Sequence, residues 1–347
     1  MSSTCAIPQK ALFGTIIVAC AVVFLASGTR NLPFPVPKGW PQPIYDFSKN
    51  PVTAEGFQLG RHLFYDPLLS RDTTISCASC HLQATGFTHV DHQLSHGIGG
   101  RIGTRNSPAL MNLAWSRTFM WDGGVNHLDM QPLSPITSPA EMDETMEHVV
   151  RKLNNSLQYR RLFAAAFQGD SVATGQRTLL ALSQFVLLLH SSNSKYDKFI
   201  RQEPGGDFSA QERNGLTIFR QNCASCHTEP LFTNGGFANN GLPVDTGLLD
   251  MGRLRITRNP GDSLLFKVPT LRNIQFTFPY MHDGRFKKLL EVVNHYTGGI
   301  QSSNTLDDQL RTPIVLSHTE KIDLVAFLLT LTDKEFLFDG RLGFPRE

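Results

Sequence analysis

The sequence predicts a mainly α protein in two domains, and three observations carry that expectation. Strand-like alternation is nearly absent, while apolar residues recur at helical spacing, as in Leu179, Leu180, Leu182, Phe185, Val186 and Leu189. The length of 347 residues suggests about two domains, each able to bury its own core. The five residues Cys77-Ala78-Ser79-Cys80-His81 return as Cys223-Ala224-Ser225-Cys226-His227. Each copy is a C-x-x-C-H box, the attachment signature of a c-type haem. Its two thiols can both reach haem vinyl groups as thioethers, and the His that follows is then held at the iron. A zinc site would set two C-x-x-C pairs about 15–20 residues apart, and these lie 146 apart. A thioredoxin-like dithiol would sit in a βαβ pattern, which is absent. The expected class is mainly α, two cytochrome c-like haem domains with long ordered loops, carrying two covalently bound haem c.

Apolar content of 41% and charged content of 18% describe an ordinary globular chain, and a net charge of +2 gives no basic field for nucleic acid. Four of the six cysteines belong to the boxes; Cys5 and Cys20 lie in or before an apolar leader.

That leader defines residues 1–28 as a signal peptide or N-terminal membrane anchor. Ala11 to Ala26 is uncharged but short of the about 20 residues a span needs. Ala26-Ser27-Gly28 offers a small-x-small cleavage pattern. Ile17-Val18-Ala19-Cys20 reads alternatively as a lipobox. All three versions put the body outside the cytoplasm, in the periplasm, with or without a membrane tether.

Residues 29–52, with Pro33, Pro35, Pro37, Pro41, Pro43 and Pro51, suit an extended arm lying along a globular body. A helix is expected from about Thr53, with Leu59, His62, Leu63 and Phe64 on its apolar side, stopping at Pro67. Residues 97–144 read as loop-rich, and long ordered loops are usually functional. Helical pattern resumes over 145–153, 158–167 and 178–190, the last a buried core helix. Pro204-Gly205-Gly206-Asp207 is the expected linker, dividing a domain over 53–204 from one over 205–347. Ser209 and Glu212 form a capping box for the helix that leads into the second haem box. Gly60 to Phe64 before the first box is echoed by Gly215 to Phe219 before the second. Residues 228–265 read as loop. A helix over 287–296 should end at Gly298-Gly299, and Ser317 with Glu320 caps a last apolar helix to about Leu331.

In this order the motifs carry a family. Besides both boxes there are Arg105-Asn106-Ser107-Pro108, Trp121-Asp122-Gly123, Gln131, Glu141, Lys267-Val268-Pro269-Thr270-Leu271-Arg272-Asn273 and Pro279-Tyr280-Met281-His282-Asp283-Gly284. Over about residues 50–335 the chain resembles the bacterial di-haem cytochrome c peroxidases and their relative MauG, which matures a tryptophan-derived cofactor. The resemblance implies a peroxidatic N-terminal haem with His81 as proximal ligand and an electron-transfer haem with His227. It implies a relay tryptophan, Trp121, and a peroxide pocket of Gln131, Pro135 and Glu141. It also implies one calcium ion between the domains, on the Asn106 side chain and the carbonyls of Thr277 and Pro279, oxygens that suit a hard cation. A carboxylate beside an open iron can move a proton between peroxide oxygens, the role expected of Glu141. Otherwise Glu141 would be a helix cap or a solvated side chain, and Trp121 a core aromatic.

Two departures bear on the subtype. Where many of these peroxidases have a distal His that closes the first haem, this chain has Ile98; His96 is two residues away, and His89 and His92 read as solvated loop residues. Where the peroxidases use Met as sixth ligand of the second haem, this chain has Tyr296, as in MauG. Tyrosine lowers a haem potential that Met would raise. Met281 and Met251 read as packing residues. The expected function is a peroxidase that reduces hydrogen peroxide to water with electrons from a small cytochrome c or cupredoxin. The alternatives are a MauG-like oxidase acting on a partner protein and a non-catalytic di-haem electron carrier. A homodimer would be in keeping with the family.

Overall fold

The structure, a computed structural model, describes residue 1 and residues 31–346. Apart from Met1, the expected leader, with Cys5 and Cys20, lies outside the described residues.

Twelve α-helices are described, joined by long irregular segments. They are α1 (Ala54–Tyr65), α2 (Cys77–Cys80), α3 (Leu133–Thr137), α4 (Met146–Asn155), α5 (Leu157–Ala166), α6 (Gly175–Leu187), α7 (Lys195–Arg201), α8 (Ala210–Asn222), α9 (Leu254–Thr257), α10 (Leu289–Asn294), α11 (His318–Leu329) and α12 (Lys334–Leu337). Strand is confined among the described residues to a two-residue antiparallel pair, β1 (Phe237–Ala238) and β2 (Phe266–Lys267), with Phe237 opposite Lys267. The mainly α expectation holds.

Local chemistry sets the boundaries. The Thr53 hydroxyl accepts the Gly56 N–H at 2.9 Å to start α1, which stops before Pro67. Ser209 with Glu212 and Ser317 with Glu320 form reciprocal capping boxes at α8 and α11, as expected. Five helices were not anticipated: α2, α7 and α12, and the short α3 and α9, which lie in stretches expected to be loop. Of these, α7 carries a capping box of its own, Ser194 with Asp197. The expected 287–296 helix is α10 followed by a π-helical turn over His295–Gly299.

The buried apolar residues form two cores. The first draws on residues 52–189 and on Phe336, Leu337 and Leu342 from the tail. The second runs from Tyr196 to Leu331. The arm lies along the first, with Phe34, Val36, Trp40, Tyr45 and Phe47 packed on it.

The weak echo between the halves marks a repeated packing unit. A Cβ on Gly60 would stand 1.9 Å from the Ala181 carbonyl oxygen of α6, and one on Gly215 would stand 2.0 Å from that of Asp323 in α11. Glycine is therefore required where α1 crosses α6 and where α8 crosses α11. Beside each crossing lies an aromatic triad. Phe64 is 4.9 Å from Phe185 and 5.9 Å from Phe87; Phe219 is 5.0 Å from Phe327 and 5.6 Å from Phe232.

Candidate functional site

Each triad supports one box. His81 is half-buried, and its Nδ1 lies 2.8 Å from the carbonyl oxygen of Phe87. His227 Nδ1 lies 3.2 Å from that of Phe232 and 3.1 Å from that of Pro269. Burial pushes His81 down to about 4, so the ring is neutral at physiological pH, the form that ligates metal.

Around the first box the structure brings together Ile98, Glu141 and the His96 loop. The Cys80 thiol reaches the His96 carbonyl at 3.3 Å. Ile98 is buried and its N–H donates to the Glu141 carbonyl at 2.8 Å. Burial raises the Glu141 carboxyl above its ordinary range, and its charge is felt by both Cys77 and Cys80. No described side chain bonds to that carboxyl. Its loop is held from several sides. Pro135 O accepts the Met142 N–H at 3.2 Å, Arg101 donates to Pro139 O at 2.5 Å, and Arg71 and Arg101 meet Asp143 at 3.0 and 2.8 Å. Gln131 stands apart from this carboxyl's contacts, its amide nitrogen 3.8 Å from Met120 Sδ, beside Trp121. His89, His92 and His96 form a row with ring centroids 4.8 and 4.1 Å apart, where isolated loop histidines were expected.

At the second box Tyr296 is half-buried within the π-helical turn, close enough to Cys223 and Cys226 to feel their charge. Burial pushes its phenol up to about 12, against the opposing pull of Asn240. Asn240 Nδ2 lies 3.5 Å from the Tyr296 hydroxyl and 3.5 Å from Met281 Sδ. Met281, expected to be packing, is absent from both cores and has φ of 76°. The residues 280–286 form a tight turn that turns its side chain toward Asn240.

Trp121 lies between the halves. Its indole N–H donates to Asn106 O at 2.8 Å, and its own carbonyl accepts the Lys267 N–H at 2.7 Å. From Asn106 the chain runs two residues to Pro108, whose carbonyl faces His81. From Lys267 it runs two residues to Pro269, whose carbonyl faces His227. The motif at 267–273 is thus a strap. Arg272, fully buried, pairs with Asp197 at 2.9 and 2.8 Å and lies over Trp40, while Asn273 reaches Ser191 and Met111 in the first half. Arg105 adds a second tie, bonding Asp122 at 2.6 Å and Asp250 at 2.6 and 2.9 Å.

Residues 54–205 match the di-haem cytochrome c peroxidase family. The methylamine utilization protein MauG of Methylorubrum extorquens is 34% identical over 297 residues, 84% of this chain and 82% of that protein. The cytochrome c551 peroxidase of Nitrosomonas europaea is 33% identical over 81% of each chain. The crystal structure of a MauG-like protein associated with microbial copper homeostasis superposes with a TM-score of 0.83 at 31% identity, covering 90% of this chain and 99% of that one. The chain belongs to the di-haem cytochrome c peroxidase family. It is an oxidoreductase of the peroxidase type, as its relatives named cytochrome c peroxidase are.

The family implies haem, and the residues fit it. Each box presents two thiols beside a half-buried neutral imidazole whose Nδ1 is engaged by a backbone carbonyl, the arrangement that fixes a ligating ring with Nε2 free. For calcium, Asn106 spends its Nδ2 on Gln93 O at 2.9 Å and its N–H on His282 O at 2.7 Å. Its side-chain oxygen makes no bond among the described residues, and an oxygen is the donor such a cation needs. No helix among the described residues is long and apolar enough to cross a membrane.

Sequence reasoning missed Asn240, and it named Arg105 within a motif without foreseeing its partners. An ion pair spanning 145 residues leaves no local trace; Asn239-Asn240-Gly241 signals a turn but not what the turn holds.

Proposed function

We propose that this chain is a MauG-like oxidase: it reduces hydrogen peroxide to two waters and takes the two electrons, one at a time, from side chains of a partner protein. The observation that carries the reading is Ile98, an apolar residue pinned by its backbone to Glu141 where a closing ligand would stand. Cys77, Cys80, Cys223 and Cys226 would hold two haem c covalently, with His81 and His227 as proximal ligands and Tyr296 as second ligand of the C-terminal haem. Bound there, haem supplies the iron at which peroxide is activated and oxidising equivalents are held.

The rest is the work of the chain. Glu141, raised by burial and bonded to no described side chain, takes a proton from the near peroxide oxygen and returns it to the departing one. Pro135 O keeps the Glu141 loop in place through Met142, and Gln131, beside Trp121, would reach the same pocket to position the peroxide. Trp121, bonded toward both proximal histidines, carries electrons between the halves. Asn106, Thr277 and Pro279 would hold one calcium ion that stiffens the contact between them. The leader would export the protein to the periplasm, cleaved or kept as a tether.

The second reading is a peroxidase fed by a small cytochrome c or cupredoxin. It is favoured by the relative named cytochrome c551 peroxidase.

Peroxide added to the fully oxidised, haem-loaded protein tests the proposal: the absorption spectrum should change without prior reduction. A protein inert until one electron has been added would overturn it. Sustained peroxide turnover with reduced cytochrome c, and none with a protein substrate, would move the assignment to the second reading.

A further inference from the structure

Among the described residues, one side chain near the second box touches two potential iron donors at once. Asn240 is fixed from two sides: its backbone carbonyl lies 3.0 Å from His295 Nε2, and its side-chain oxygen accepts the Leu242 N–H at 3.3 Å. This leaves the amide nitrogen, with two hydrogens, facing the Tyr296 hydroxyl and the Met281 sulfur, each at 3.5 Å. Both partners sit in unusual backbone. Tyr296 belongs to the π-helical turn, and Met281 has φ of 76°, conformations that concentrate at functional sites.

We propose that Asn240 is a positioning residue whose amide fork decides which donor the second haem receives, presenting the Tyr296 oxygen and restraining the Met281 sulfur. The inference rests on the reading of Tyr296 as a haem ligand. A hydrogen bond to an oxygen donor favours its charged, ligating form. The same bond to a neutral thioether occupies a lone pair that the metal would otherwise use. Histidine with methionine raises a haem potential, so exchange of one donor for the other would be visible as a change of potential.

The test uses the haem-loaded protein and reads the low-spin absorption spectrum and the midpoint potential of the second haem. Asn240→Leu, which removes both hydrogen bonds, should alter the spectrum and raise the potential. Asn240→Asp, which keeps the shape and the Leu242 contact but loses the donor, should alter the spectrum too, and it serves if the leucine variant fails to load haem. Adding Met281→Leu to Asn240→Leu should cancel the rise in potential. If both Asn240 variants keep the wild-type spectrum and potential while Tyr296→Phe changes them, the inference is overturned and the ligand reading stands. If the potential stays high in the double variant, Met281 is not the competing donor and the fork is wrong. If Tyr296→Phe itself changes nothing, the ligand reading falls, and the inference with it.

Discussion

The backbone N–H of Ile98 donates to the carbonyl of Glu141 at 2.8 Å, so an apolar blocker and a free carboxyl are held as one unit beside the first haem box. Placing an imidazole there should undo the openness. Ile98→His is expected to give an oxidised protein that reacts with peroxide at least about tenfold more slowly, ~1.4 kcal/mol in barrier. Stopped-flow spectra before and after one-electron reduction check it; equal rates in variant and wild type would contradict the placement of Ile98.

Glu141→Gln keeps shape and removes the proton carrier, so peroxide reduction should fall about 10²- to 10⁴-fold. The stability change runs the other way. Burial raises the Glu141 carboxyl, so the folded state holds its proton to higher pH than the unfolded chain does. Stability is therefore lost as pH rises from the ordinary carboxylate range through the raised value. The glutamine variant should lack that loss and melt higher at neutral pH. Paired activity and thermal melts at several pH values decide the point.

Arg105 bridges two buried acids, Asp122 and Asp250. Burial pushes the Asp250 carboxyl up, but the Arg105 guanidinium more than offsets this and holds it below its usual range. This contribution is present above the unfolded carboxylate pKa and disappears as pH falls through the depressed folded value. Arg105→Met, which strands Asp250, should cost ~3–5 kcal/mol at neutral pH and much less in acid. Urea unfolding at both pH values measures it.

Gly60→Ala and Gly215→Ala each drive a methyl into a facing carbonyl. Each should destabilise its own half by at least the ~1–3 kcal/mol of ordinary overpacking. Because the crossings lie in separate cores, the two effects should add within ~0.5 kcal/mol. Marked non-additivity in the double variant would show that the halves share one packing unit.

Features written in neighbouring residues were legible before the structure. The boxes, the caps at Ser209 and Ser317 and the stop at Pro67 all depend on residues close in the chain, and the glycine echo was legible as a repeat. Ser194 with Asp197 was legible by the same rule and was overlooked. Contacts made at a distance were not legible: Trp121 to Lys267, Arg105 to Asp250 and Asn240 to Tyr296 join segments whose spacing carries no period. The π-helical turn was hidden for another reason, since its residues also satisfy an α pattern up to Gly298. Met281 was misread because an apolar side chain in sequence says nothing of which way its backbone turns it.

The first core is finished by the last described stretch of chain. Phe336 packs 5.7 Å from Phe87, whose carbonyl meets His81, while Gln83, Tyr65 and Arg61 grip the backbone of residues 339–344. The half that carries the earlier cysteine pair is therefore completed only when residues 336–344 have docked on it. Shortening the protein beyond residue 333 would remove the final closing piece from the half farthest away in sequence.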